Sequence, residues 1–329
     1  MSSPPLVRAV IFVAVLAVGI VTAAVAFLGY PESGYELAGV VLLLLAIPIV
    51  FRLAANIANS VAPAYNVAEV GVTGPITRET STSPLGAAPM AANANAIVEQ
   101  IERADVDTNV DALLVRLNTP GGEIVPSEDI KLAVERFEGP TVGYATDTCA
   151  SGGYEIASGC DELWARNGSI IGSIGVIGSR VNAAELADRL GVSYEQLTAG
   201  KFKDAGMPLK EFEDHERAYL QGIVDEYYDQ FVENVADRRD VSVEEIKETE
   251  AKVYLGGRAH ELGLVDELGT REEVEDRLEA LTGTQPVIRR FEPQLGLVRQ
   301  FGVGAQRVAY AFGAGLTSTF GDGERFRLK

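Results

Sequence analysis

Two glycine-rich turns hold the residues of this chain best placed for covalent chemistry. The first is Asn118-Thr119-Pro120-Gly121-Gly122 and the second is Ala150-Ser151-Gly152-Gly153-Tyr154. Each follows an apolar run that reads as a buried strand, and the second opens a helical stretch. A serine at such a strand-to-helix turn is exposed, lies at the positive end of a helix and has backbone N–H groups nearby to receive an oxyanion. Ser151 is therefore a candidate nucleophile, with a simple helix cap as the plainer reading. A nucleophilic serine needs a base. The two histidines, His215 in Glu213-Asp214-His215-Glu216 and His260 in Arg258-Ala259-His260-Glu261, read as surface residues. The alternative base is a lysine held neutral by burial. Lys201 and Lys203 project to the same side of an extended segment, Thr198-Ala199-Gly200-Lys201-Phe202-Lys203-Asp204, so spacing does not choose between them.

The elements that must position these groups alternate in type. Residues 67–76 read as a strand ending in Gly-Pro, 77–89 as a polar loop, 91–104 as a helix, 110–117 as a buried strand, 125–137 as a helix and 140–145 as a strand. That order implies parallel pairing through crossover helices. Two further amphipathic helices are expected over 211–239 and 271–281. The class is α/β, in one compact domain.

Ahead of this block lie two apolar segments. Residues 9–30 hold no charged residue, a run of 22 that exceeds a roughly 30 Å hydrocarbon layer at 1.5 Å per residue. After a polar turn at 31–36, residues 37–51 form a second uncharged run that reaches membrane length if Arg52 snorkels and the helix continues. The expectation is a transmembrane helical hairpin over 1–53, followed by a linker at 54–66, a catalytic domain over 67–285 and a tail from 286 to 329. A cleaved signal peptide fits less well, since the first run is long and a second follows at once. Arg8 and Arg52 flank the hairpin while its turn carries Glu32 and Glu36, which favours a multi-pass anchor with both ends, and the catalytic domain, on the cytoplasmic side.

The 329 residues carry a formal net charge of -19 and a pI near 4.6. Nucleic-acid binding, which needs a surplus of Lys and Arg, is excluded as a partner class. Two cysteines and no C-x-x-C pair argue against a disulfide scaffold or a zinc site. Residues 1–52 are neutral and 286–329 carry +4, so the middle block carries -23. A surface that acidic fits adaptation to high salt. The basic tail, with Leu297, Val298, Phe301, Val308 and Phe312 among glycines, suits a membrane-surface contact, disorder or packing on a neighbouring subunit.

Five ordered motifs together carry a resemblance: N-T-P-G-G at 118–122, A-S-G-G-Y at 150–154, G-S-I-G-V-I at 172–177, A-G-K-F-K-D at 199–204 and G-G-R-A-H-E-L-G-L-V-D-E-L-G at 256–269. The chain resembles the SppA signal peptide peptidase family of membrane-bound Ser/Lys proteases over about residues 67–281, here in a form that suits a halophilic archaeon. The resemblance implies a ClpP/crotonase-like α/β fold of repeated ββα units. It implies Ser151 as nucleophile, Lys203 as general base, Ser173 as the hydrogen-bond partner of that lysine, and the backbone N–H groups of Gly122 and Gly152 as the oxyanion hole. It also implies a ring-shaped homo-oligomer in which catalytic groups can come from adjacent chains, and no metal or organic cofactor. The substrates implied are extended apolar peptides, such as cleaved signal peptides or membrane-protein fragments, reached at the lipid bilayer. Three rivals remain: a crotonase-type enzyme acting on acyl-CoA, an NfeD-type membrane protease, and a non-catalytic membrane scaffold.

Overall fold

The computed structural model describes residues 4–28, 36–61, 65–78 and 91–293. The expected hairpin turn, most of the expected polar loop and the tail beyond 293 lie outside the described residues.

The apolar segments form helices α1 (Pro4–Leu28) and α2 (Glu36–Val61). Within them, Val7–Phe27 and Gly39–Ala58 are long and apolar enough to cross a membrane. The two helices pack on each other. Phe12 meets Phe51 edge-on with ring centroids 5.2 Å apart. A Cβ on Gly19 would stand 2.4 Å from Val50 Cγ1, the close backbone approach that small residues allow between such helices. Val13, Val21, Leu44, Leu45 and Ile49 point outward and are exposed, which leaves an apolar surface of the kind a hydrocarbon layer covers.

The α/β class is observed in the rest of the described chain. Strands β1 (Val67–Thr73), β2 (Ile76–Thr77) and β3 (Ala92–Asn93) lead into helix α3 (Ala94–Asp105). Then come β4 (Ala112–Thr119), α4 (Ile124–Glu135), β5 (Thr141–Ala150), the short helix α5 (Gly152–Ser158), β6 (Glu162–Ala165) and β7 (Ile170–Gly172). The later part holds α6 (Ala184–Arg189), α7 (Asp214–Ala236), α8 (Val243–Glu248), β8 (Val253–Leu255), α9 (Gly256–Glu261), β9 (Glu267–Leu268), α10 (Arg271–Thr282) and β10 (Ile288–Arg290). The main sheet runs β10-β1-β4-β5-β6-β9, every neighbour parallel. The strand expected over 67–76 is thus two strands, broken at Gly74-Pro75.

Alternation along the strands fills both faces of the sheet. Val70, Val72, Leu113, Val115 and Leu117 face the main core with α3 and α4, while Val67, Ala112 and Leu114 face a smaller core closed by Val274 and Leu278 of α10. β10 extends the sheet past the expected domain end at 285, pairing Ile288 with Val67. Charge helps to hold that edge. Glu69 on β1 is 3% exposed and contacts Arg116 at 3.4 Å, Arg271 at 2.7 Å and Arg290 at 3.0 Å. A buried carboxylate requires such partners, and these three come from β4, α10 and β10.

β5 does the positioning for the site. Its register against β4 shifts between Leu117↔Ala145 and Thr119↔Cys149, so extra residues on β5 bulge out. The first half of β5 pairs β6 and the second half pairs β7, through Thr148↔Ile170, Cys149↔Ile171 and Ala150↔Gly172. β7 in turn pairs β8 antiparallel.

Candidate active site

Ser151 stands between β5 and α5 with φ 53° and ψ −127°, a conformation that costs a non-glycine residue on the order of 1–3 kcal/mol. Its surroundings hold it there. The Ser151 N–H donates to Gly172 O at 2.9 Å, and Ser151 O accepts from the N–H groups of Tyr154 and Glu155 at 2.8 and 3.0 Å. Tyr154 anchors α5 from the buried side: it is fully buried and its hydroxyl donates to Leu264 O at 2.8 Å. Beyond it, the Arg239 guanidinium donates to Ala157 O at 2.6 Å and pairs with Asp266 at 2.5 Å.

The β4 turn is pressed against this elbow because Thr119 and Cys149 are register partners. A Cβ on Gly121, whose φ is +91°, would lie 2.7 Å from Gly152 N and 2.8 Å from Ser151 Cβ, so only glycine fits the approach. Ile76 fixes the next residue. Its N–H donates to Gly121 O and its carbonyl accepts from Glu123 N–H, both at 2.9 Å. In a parallel bridge of that kind the intervening Gly122 turns its own N–H away from Ile76. A Cβ built on Gly152 would meet Ser127 Oγ at 2.2 Å and Gly122 N at 3.5 Å, so the backbones of the two glycines lie close together next to Ser151. The Gly152 amide is also the first of α5, without an intrahelical acceptor.

Ser151, Gly122 and Gly152 line one cleft enclosing about 600 Å³ of empty space, part of it open to solvent. The cleft is walled by α4, α5, α7 and the segment at 175–177. Ser173 follows the strand that receives the Ser151 amide; it is half-buried, with φ 52°, and its N–H donates to Lys252 O at 3.0 Å. Ser151 and Ser173 therefore leave adjacent, parallel strands at the same end.

Lys203 is not among the residues lining this cleft. It is exposed, in a turn where its N–H donates to Gly200 O. The turn is tied down by its neighbours: Lys210 bridges Asp204 and Glu216, and Arg180 donates to Met207 O and Lys210 O while lying over the Phe212 ring at 4.6 Å. Lys201 lies over Phe202 at 5.2 Å. The two histidines stay out of the cleft as expected, His215 beside Glu213 at 3.2 Å and His260 exposed. Cys149 and Cys160 are buried, and burial pushes both thiols up, Cys160 to about 12. One residue of the cleft went unremarked in the sequence: Glu155 on α5, 7% exposed, whose carboxyl burial pushes up to about 7. Its signal was available, as a charged residue within the otherwise apolar and glycine-rich 152–157 stretch.

Residues 135–285 match the model of Peptidase family S49. That span, a little under half of the chain, is what is similar to the family. A putative protease of Synechocystis is 38% identical over 178 residues, 53% of this chain and 64% of its own length. A putative protease of Methanocaldococcus jannaschii is 35% identical over 187 residues, 56% of this chain and 60% of its own. The putative signal peptide peptidase SppA of Enterococcus faecium is 34% identical over 183 residues, 54% and 53% respectively. The chain thus spans less than two thirds of each of these relatives. Among solved structures, a mutant of the 1510-N membrane-bound stomatin-specific protease superposes with a TM-score of 0.46 at 15% identity, over 70% of this chain and 99% of its own. The family match begins beyond the β4 turn, so Gly122 lies outside the matched span while Ser151, Ser173 and Lys203 lie inside it.

Proposed function

We propose that this protein is a membrane-associated serine peptidase of the S49 type, using Ser151 as nucleophile and Lys203 as general base. The observation that carries the reading is the Ser151 elbow. A strained serine opens onto a cleft, and the backbone of Gly122 and Gly152 lies beside it, which supports reading their amides as donors to a tetrahedral oxyanion. In this reading Lys203 Nζ takes the Ser151 proton as Oγ attacks the peptide carbonyl. The Gly122 and Gly152 amides hold the oxyanion, the amine leaves with the proton, and water then releases the acyl group. Ser173 orients the lysine amine. No step calls for a cofactor.

Because Lys203 is exposed and outside its own chain's cleft, the base is supplied by a second copy, in a ring-shaped homo-oligomer. The segment between Ser173 and Lys203 supports this, since Ile177, Val181, Leu186, Leu190 and Leu197 are all more than half exposed there, as an interface would leave them. The hairpin of α1 and α2 is the multi-pass anchor, both ends cytoplasmic, and it places the peptidase where peptides leave the bilayer. In this reading the anchor, expected over 1–53, runs on through α2 to Val61 into the expected linker at 54–66, and the catalytic domain, expected over 67–285, is carried on to β10.

The test is cleavage of a fluorogenic peptide by the full chain in detergent at high salt. Ser151→Ala and Lys203→Ala are each expected to lose roughly a thousandfold or more in rate while staying folded, and Lys201→Ala to retain cleavage. Assembling Ser151→Ala with Lys203→Ala subunits is expected to restore part of the activity, since a mixed ring pairs an intact serine with an intact lysine. Persistent cleavage by Ser151→Ala would refute the mechanism, and failure of the mixed assembly would place both groups on one chain.

A further inference from the structure

The cleft beside Ser151 is not uniformly apolar. Among its described lining residues the only charges are the carboxylates of Glu128 on α4 and Glu155 on α5. Glu155 follows Ser151 by about one helical turn, roughly 6 Å along the axis. It is 7% exposed and, among the described residues, makes no ion pair. The cation whose field reaches it, Lys131, is engaged elsewhere: it pairs with Glu135 at 3.3 Å, which also takes Arg238 at 2.8 Å. A neutral amide, Asn234 of α7, is its hydrogen-bond partner. A carboxyl that deep without a countercharge is costly, and on a cleft wall the missing charge can be brought by whatever the cleft binds.

We infer that the pocket next to Ser151 accepts a lysine or arginine side chain of the peptide, paired by Glu155 with Glu128 at its side. This rests on the peptidase reading of the same cleft. The span from Ser151 to Glu155 is one that the four-carbon stem of a substrate lysine covers, with Ile124, Val176 and Phe231 available to pack that stem. The substrate class is then a basic residue set in apolar sequence, the chemistry found where a membrane segment meets its charged flank. Wholly apolar peptides, implied by the family resemblance, are the poorer ligands for this wall.

Burial drives the Glu155 carboxyl up to about 7, Glu128 pushes the same way, and Lys131 and Asn234 pull it down. Below pH 7 the group is mainly neutral and offers a basic side chain little; above it the carboxylate is present. Selectivity for lysine therefore rises from pH 6 to pH 8.

The experiment measures binding, so that it does not depend on turnover. Full-length Ser151→Ala protein in detergent at fixed salt is titrated with labelled apolar peptides carrying one lysine or, in its place, norleucine, which keeps the stem and drops the charge. At pH 8 the lysine peptide is expected to bind about tenfold tighter, as one charge-assisted hydrogen bond provides. Adding Glu155→Gln is expected to bring the ratio close to one, and lowering the pH to 6 to shrink it. Glu128→Gln, at a less buried position, serves as the second variant and is expected to lower the ratio partway. Equal binding of the two peptides, or a ratio that Glu155→Gln leaves intact, overturns the inference. Cleavage by wild type is scored alongside. Lysine-selective binding without cleavage removes the serine mechanism and keeps the pocket, whereas cleavage of both peptides at equal rates keeps the mechanism and removes the pocket.

Discussion

Ser151 holds its conformation against its own preference, and that has a measurable sign. Replacing it by glycine, which adopts positive φ at no steric cost, is expected to raise stability by about 1 kcal/mol while abolishing cleavage, read as a higher urea midpoint. Alanine at the same position keeps the strain and is expected to bring no such gain. Gly152→Ala acts in the opposite direction, because its Cβ would sit 2.2 Å from Ser127 Oγ. A loss of about 1–3 kcal/mol is expected, with a displaced amide and lowered activity. Glu155 adds a pH signature at the same scale. Its folded carboxyl binds a proton more tightly than in the unfolded chain, so between its usual value of 4.5 and about 7 the native state carries the extra proton and stability falls as pH rises. Glu155→Gln is accordingly expected to stabilise the protein at pH 8 and to change little at pH 5, compared by thermal melts at the two pH values.

At the scale of elements, the site depends on how α5 is pinned behind Ser151. Arg239 has a side chain 2% exposed and joins the C-terminal end of α5 to Asp266, whose carboxylate also accepts the Leu163 amide of β6 at 2.5 Å. Truncating such a buried charge leaves Asp266 and Ala157 O without it. Arg239→Ala is expected to cost about 3–5 kcal/mol in chemical denaturation and to loosen α5 with it. The bulge in β5 matters for the same reason. It turns the strand from β6 to β7, and that turn brings Gly172 O under the Ser151 amide.

At the scale of the whole molecule, charge dominates. A net charge of -19, and -23 in the middle block, repels itself at low ionic strength. Screening becomes effective as the Debye length drops toward roughly 3 Å near 1 M salt. The melting temperature is therefore expected to climb steeply with added KCl, and a flat salt response would argue against adaptation to high salt.

How much of this could be read before folding depends on whether the signal was local. The strands at β1, β4 and β5 and the helices α3, α4, α7 and α10 follow from local periodicity and punctuation, so their existence was legible, with ends off by a few residues. The two glycine turns were legible for the same reason: short spacing and residue type dictate a tight turn wherever it ends up. Other features have no local cause. That Gly121 abuts Ser151 follows from the register of β4 on β5, and that β10 completes the sheet follows from a pairing across more than two hundred residues. The conformation of Ser151 is held in part by Gly172 O, from a strand the sequence did not announce. Lys203 and Glu155 mark the limit most clearly. The motif named the lysine, but tertiary structure left it outside its own chain's cleft, while the same packing turned an unremarked glutamate into a wall of that cleft. Residue type and short-range spacing are properties of the chain; which groups share a pocket is decided by long-range pairing, and that is a property of the fold alone.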